Sequence, residues 1–96
     1  DEMAFGAIEA LKEAGLTPAV DVKIISVDAT SGAFQAMLDG TLNVTVECNP
    51  LLAPQVYEAA LAALNGETLP KWIPSQESVF YMDDPNLKDI AAGRKY

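Results

Sequence analysis

The chain has 96 residues, half of them hydrophobic, with 14 acidic residues against 6 basic ones, no histidine and a formal net charge of −8. That length suits a single domain able to bury roughly 60–70% of its unfolded surface, and the composition is that of a globular rather than a disordered chain. An acidic chain without a basic stripe is a poor fit to phosphate backbones, and no apolar run approaches the ~20 residues of a membrane span.

From Glu2 to Ala14, apolar residues at Met3, Ala4, Ala7, Ile8 and Leu11 follow the i, i+3, i+4 spacing of one helix face, with Glu9, Lys12 and Glu13 opposite. Asp1 suits the N-cap and Gly15 the left-handed residue that follows a helix. The start at Asp1-Glu2-Met3-Ala4, directly on a helix-start pattern, is what the inside of a longer chain looks like. Leu16 to Asp21, with Pro18, reads as a connector. Val22 to Val27 is a nearly continuous apolar run, expected to be a parallel strand buried on both faces. It breaks into Asp28-Ala29-Thr30, a carboxylate at the carboxyl end of a strand, where ligands bind in α/β proteins.

Ser31 to Leu38 reads as a short helix with Phe34, Met37 and Leu38 inward, ended by Gly40. Leu42 to Cys48 is a second strand, with Val44 and Val46 on one face and Asn43, Thr45 and Glu47 on the other. Pro50 or Pro54 then opens a third helix whose apolar stripe is Val56, Ala59, Ala60, Ala63 and Leu64, stopped at Asn65-Gly66. The rhythm is that of a βαβ fold with helices on the faces of a parallel sheet. After Pro70 the prolines suit edges and turns, so Lys71 to Ile73 and Ser78 to Met82 are expected as extended, non-central segments. A helix from Asn86 to Ala92 follows, and Gly93 to Tyr96 trails off. No internal repeat is visible.

Three motifs occur in order: Asp1-Glu2-Met3-Ala4-Phe5-Gly6-Ala7-Ile8-Glu9-Ala10-Leu11 with Ala14-Gly15; Ile25-Ser26-Val27-Asp28-Ala29; and Met37-Leu38-Asp39-Gly40 followed by Thr45-Val46-Glu47-Cys48-Asn49-Pro50. Together they resemble the C-terminal portion of the type 1 periplasmic sugar-binding proteins of bacterial ABC importers, nearest the galactofuranose and ribose branches. The tail from Tyr81 to Tyr96 is similar to the galactofuranose type. The resemblance implies an α/β fold: part of the C-terminal Rossmann-like lobe over residues 1–70, then a hinge-crossing extended segment and C-terminal helix over 71–96. It implies a periplasmic or extracytoplasmic protein and a monosaccharide partner, galactofuranose-, galactose-, arabinose- or ribose-like. An ABC permease is the further partner implied, and no nucleic acid. Family members have two lobes, so the N-terminal lobe and a family sugar contact just before Asp1 lie outside these residues. On another reading the piece has no function of its own, and its open sheet edge and uncovered apolar surface would then promote self-association.

By the same resemblance, Asp28 matches a sugar-ligating aspartate. A carboxylate can accept two sugar hydroxyls, whereas the alternative reading is a helix N-cap, a role open to Thr30 and Ser31. The ribose type carries a glutamine ligand where this chain has Cys48, which argues against ribose. Glu47 and Asn49 flank it as candidate ligands. Glu47 otherwise is a solvated strand end, and Asn49 otherwise makes the turn before Pro50. Cys48 has no histidine to activate it and reads as a small buried hydrophobe. Trp72 either stacks on a sugar or packs at the lobe junction. Asp83-Asp84 are too few oxygens for calcium and are expected to cap the next helix. No catalytic residue, metal ligand or cofactor is expected. The alternative reading is the effector domain of a LacI-type transcription regulator, which shares the fold, although the run Asp39-Gly40-Thr41-Leu42 resembles importers.

Overall fold

Glu2–Glu13 forms helix α1 because its apolar stripe has something to lie on: Ile8 is buried, with Ala4, Phe5 and Leu11 packed beside it. The computed structural model describes residues 1–96. Gly15, at φ 75°, ends the helix in the left-handed region as the pattern predicts. Two members of the predicted stripe fall outside the core. Met3 is 92% exposed, and with Ala7 it borders a groove along the first strand. The buried stripe is therefore centred one position further round the helix, on Ala4, Ile8 and Leu11.

Strand β1 spans Ile25–Asp28, helix α2 Ser31–Leu38, strand β2 Val44–Glu47, helix α3 Ala53–Leu64, strand β3 Val79–Tyr81 and helix α4 Leu87–Ala92. The three strands form one sheet in the order β1-β2-β3. β1 and β2 are parallel, with Ile25 opposite Val44 and Asp28 opposite Glu47. β3 returns antiparallel, placing Phe80 opposite Thr45, which is an edge position as the flanking prolines require.

The core lies against one face of this sheet. Ile8, Ile24, Ala29, Ala33, Phe34, Met37, Leu42 and Leu87 form a single buried cluster, with Phe80, Met82 and Ile90 packed onto it. Strand residues pointing that way are Ser26 and Thr45, both buried, and Phe80, which meets Phe34 edge to face at 4.9 Å. The other face carries Ile25, Val27, Val79 and Tyr81, all exposed. The expectation of a strand buried on both faces is thus corrected for β1, whose apolar run is covered on one side alone. Strand alternation explains the pattern: a run of apolar residues puts half of them on each face, whether or not both faces are covered.

Two further expectations change. Leu38 was expected inward with Phe34 and Met37, but it is 38% exposed, and Ala33 takes its place in the core. Helix α3 begins with Pro54 in its first turn, yet none of its residues is buried. β3 is antiparallel to β2, so α3 is not the crossover of a βαβ unit, and it contributes no side chain to the core on the sheet. It extends the molecule to 60 × 25 × 16 Å with a radius of gyration of 17.4 Å, against about 13 Å for a compact chain of 100 residues. Gln55 ties it only to its own return segment, donating to the carbonyls of Ile73 and Pro74. No helix is long and apolar enough to cross a membrane.

Candidate functional site

The carboxyl ends of β1 and β2 lie side by side, and a buried polar network builds the ground beneath them. Asp1 precedes α1 in the N-cap position, but its side chain makes no capping bond. Its carboxylate instead turns into the fold. Oδ1 accepts from Ser26 Oγ at 2.5 Å and from Thr45 Oγ1 at 3.1 Å; Oδ2 accepts from Thr30 N and Thr30 Oγ1, each at 2.8 Å. One carboxylate therefore joins both strands to the start of α2. It is expensive to bury and stable here because every bond is made. No buried side-chain nitrogen or oxygen in the chain lacks a partner.

Above that network β1 ends in an unusual turn. Asp28 has φ 123° and Ala29 φ 60°, two successive non-glycine residues in the left-handed region. Side chains disfavour that region, and its occupation is concentrated at functional sites. The turn keeps the Asp28 side chain 55% exposed, with Oδ2 lying 3.2 Å from the Asp1 nitrogen. The capping alternative for Asp28 does not apply, because Thr30 is the N-cap of α2 and accepts from Ala33 N.

Glu47, opposite Asp28 in the register, is placed differently. Its side chain is 10% exposed and its Oε1 accepts from Arg94 Nη2 at 2.7 Å. Tyr96 donates its hydroxyl to the same oxygen at 2.5 Å, and Ser78 N donates to Oε2 at 3.1 Å. Burial by itself would raise the carboxyl's pKa. The bonds from Tyr96 and Arg94, the Arg94 charge and the Ser78 N–H outweigh it and hold Glu47 below its ordinary 4.5. Burial, then the bond to Glu47, push the Tyr96 hydroxyl up to about 12.

Arg94 and Tyr96 are the functional-region residues that sequence reasoning missed, since Gly93 to Tyr96 was expected to trail away. The segment instead folds back. Arg94 Nε donates to the Ala29 carbonyl at 2.7 Å, and the Tyr96 carbonyl accepts from Ser31 N at 2.7 Å. The guanidinium sits 5.1 Å from the ring centres of Phe34 and Phe80 and 4.4 Å from that of Tyr96, within cation–π range. One signal was available: Arg94 is the sole arginine in the chain, and a planar fork of donors serves where lysine cannot.

Asn49 makes its turn, its Oδ1 accepting from Leu51 N at 2.9 Å, while its own N–H donates to Glu77. Cys48 was expected buried and is exposed. It follows β2 on the same alternation as Val44 and Val46, toward the uncovered face. Trp72 is 80% exposed, bordering a shallow cavity with Leu52, Val56 and Ile73. Asp84 Oδ1 accepts from Asn86 N at the entry to α4. No group of three or more His, Cys, Asp or Glu is placed to hold a metal ion. What the arrangement offers is an exposed acceptor, Asp28, on a rigid polar base. That suits hydroxyl recognition.

No protein-family model matches the chain. It is 36% identical over 90 residues to the galactofuranose-binding protein YtfQ of Escherichia coli (strain K12), a match covering 94% of this chain and 28% of that protein. It is 39% identical over 80 residues to the fructose import binding protein FruE of Bifidobacterium longum, covering 83% and 24% respectively. Among solved structures, it superposes with a TM-score of 0.87 at 40% identity on the periplasmic binding protein of an arabinose ABC transporter from Shewanella sp. ANA-3, bound to α- and β-L-arabinofuranose. That match covers 99% of this chain and 31% of the other. The chain spans about a quarter to a third of the length of these relatives.

Proposed function

We propose that this chain, homologous along nearly all its length to sugar-binding proteins of ABC importers, forms one wall of a monosaccharide site in an extracytoplasmic solute-binding protein. The observation that carries the reading is Asp28: an exposed carboxylate at the carboxyl end of a parallel strand, held forward by a left-handed turn and not consumed as a helix cap. A ligand in the crevice beyond the strand ends meets it first. It accepts hydrogen bonds from sugar hydroxyls, charge-assisted and directional.

Of the other two candidates, Asn49 is the one we assign to a second sugar contact, since it lies two residues past Glu47, the register partner of Asp28, and its turn uses its Oδ1 and leaves the side-chain NH2 to donate. Glu47 has both oxygens bonded within the chain and supports the site from behind. Residues 1–70 belong on this reading to the C-terminal lobe, and the extended stretch after residue 70 to the crossing between lobes. A second lobe closes over the sugar by a hinge motion, and a permease receives the loaded protein. The role is binding and release, without chemistry on the sugar. The relatives are named for furanose sugars and fructose, so a five-membered-ring sugar is the class we assign. These relatives favour import over the regulator reading.

The experiment is calorimetry on the full-length protein with L-arabinose, D-galactose and D-fructose, each equilibrated in water and so containing its furanose form. Asp28→Ala is expected to weaken the tightest of these at least about a hundredfold, as loss of a charged, bidentate acceptor does. Wild-type affinity in that variant would sink the assignment.

A further inference from the structure

The turn that presents Asp28 does not hold itself. Two successive residues with side chains, at φ 123° and 60°, keep such a conformation only where the surroundings over-determine it. The central residue is Ala29, which is fully buried and whose two flanking peptide units are each held. Its N–H donates to Thr45 Oγ1 at 3.2 Å, so β2 holds one side. Its carbonyl is gripped by Arg94 Nε at 2.7 Å, from 65 residues away in the chain. The same guanidinium reaches Glu47 at 2.7 Å and the Tyr96 hydroxyl at 2.6 Å. Its plane and direction are thus set by a buried acceptor and an aromatic ring, and it cannot swing away from Ala29 without breaking both. Tyr96 adds its backbone, accepting from Ser31 N two residues past Ala29.

We propose that Arg94 and Tyr96 are positioning residues for the sugar site, holding the Asp28–Ala29 turn through the Ala29 carbonyl so that the Asp28 carboxylate faces the ligand. The inference rests on the reading of Asp28 given above. Neither residue touches sugar. Their contribution is preorganisation: a turn already in the binding conformation spares the ligand the cost of ordering it. Lysine cannot replace Arg94, because one ammonium does not span the Ala29 carbonyl and Glu47 with fixed geometry.

The test uses the full-length protein and the same three sugars, read by calorimetry, with backbone amide NMR signals of residues 28 and 29 read alongside. Arg94→Lys is expected to weaken the tightest sugar about tenfold and to shift both amide signals. The decisive arm adds Ala29→Gly to Arg94→Lys. Glycine takes the left-handed conformation without cost, so affinity is expected to return to within about threefold of wild type, against the ~10-fold loss of the single variant. A merely structural role for Arg94 predicts no such rescue. Tyr96→Phe keeps the ring and the bond to Ser31 and loses the hydroxyl's two bonds, to Glu47 and from Arg94; the direct Arg94–Glu47 pair stays, so a milder loss of about threefold is expected. It serves as the test if Arg94→Lys does not fold.

Unchanged affinity and amide signals in Arg94→Lys or Tyr96→Phe, or a loss that Ala29→Gly leaves in place, overturns the positioning role. If Asp28→Ala itself binds like wild type, the reading of the site falls instead. The two failures are therefore distinguishable.

Discussion

Asp28 and Glu47 are partners in the sheet register, both acidic and both last in their strands, yet their surroundings make them different groups. Asp28 is 55% exposed, whereas Glu47 is 10% exposed and paired with Arg94. A carboxylate left facing solvent is available to a ligand. One that is buried, bonded and neutralised has become part of the scaffold. Sequence position alone treats the two as equals, and what separates them is an arginine and a tyrosine arriving from the far end of the chain.

The comparison can be broken most strongly at Glu47. Glu47→Gln leaves the Arg94 guanidinium buried without a counter-charge, and loss of one partner of such a pair costs about 3 kcal/mol. Urea unfolding should show that loss, and an unchanged midpoint would mean that Glu47 is no more than a solvated strand end. Next is the base beneath both residues. Asp1→Asn removes the charge that gathers Ser26, Thr30 and Thr45. It should cost about 2 kcal/mol by the same measurement, as charge-assisted bonds become neutral ones.

The pH dependence sharpens the contrast at both ends of the scale. Glu47 has a depressed pKa, so its contribution is present above 4.5 and is lost as pH falls through the depressed value. Tyr96 is raised from 10.0 to about 12, so its contribution is full below 10 and fades as pH rises toward 12. Stability measured against pH should fall at both extremes, and Glu47→Gln should flatten the acid limb. The smallest stability change belongs to the residue with the largest proposed effect on binding. Asp28→Ala should alter unfolding free energy by no more than about 1 kcal/mol: the exposed side chain contributes little, and alanine adds the excess cost of holding φ 123°, a region aspartate tolerates better. A loss several times that size would show that Asp28 is structural after all.

A second contrast explains where sequence reasoning was firm. Helices α1, α2 and α3 were all legible from spacing and their glycine, asparagine and proline punctuation, since these are local signals. Placement was not. The stripe on α1 has Ile8 in the core, while the stripe on α3 is comparable in pattern and buries nothing. Periodicity reports that a face is apolar and is silent on what covers it. The same limit accounts for β1, whose alternate apolar residues Ile25 and Val27 are exposed, and for Cys48, which reads as buried by type and is exposed by position.

By itself the sequence determined the elements, their order and the strand end at which Asp28 stands, because helix caps, strand runs and breaks are written in neighbouring residues. Homology to sugar-binding proteins was likewise legible in motifs that are contiguous along the chain. The tertiary structure alone decided what each acidic residue does. Asp1 left its expected capping role to join two strands and a helix, Glu47 became half of a buried pair, and Arg94 and Tyr96 returned to the Asp28 turn. Each of those outcomes depends on contacts between residues 25 to 65 positions apart. Distance in the chain carries no local pattern, and the energy of a charge is set by what folding places around it.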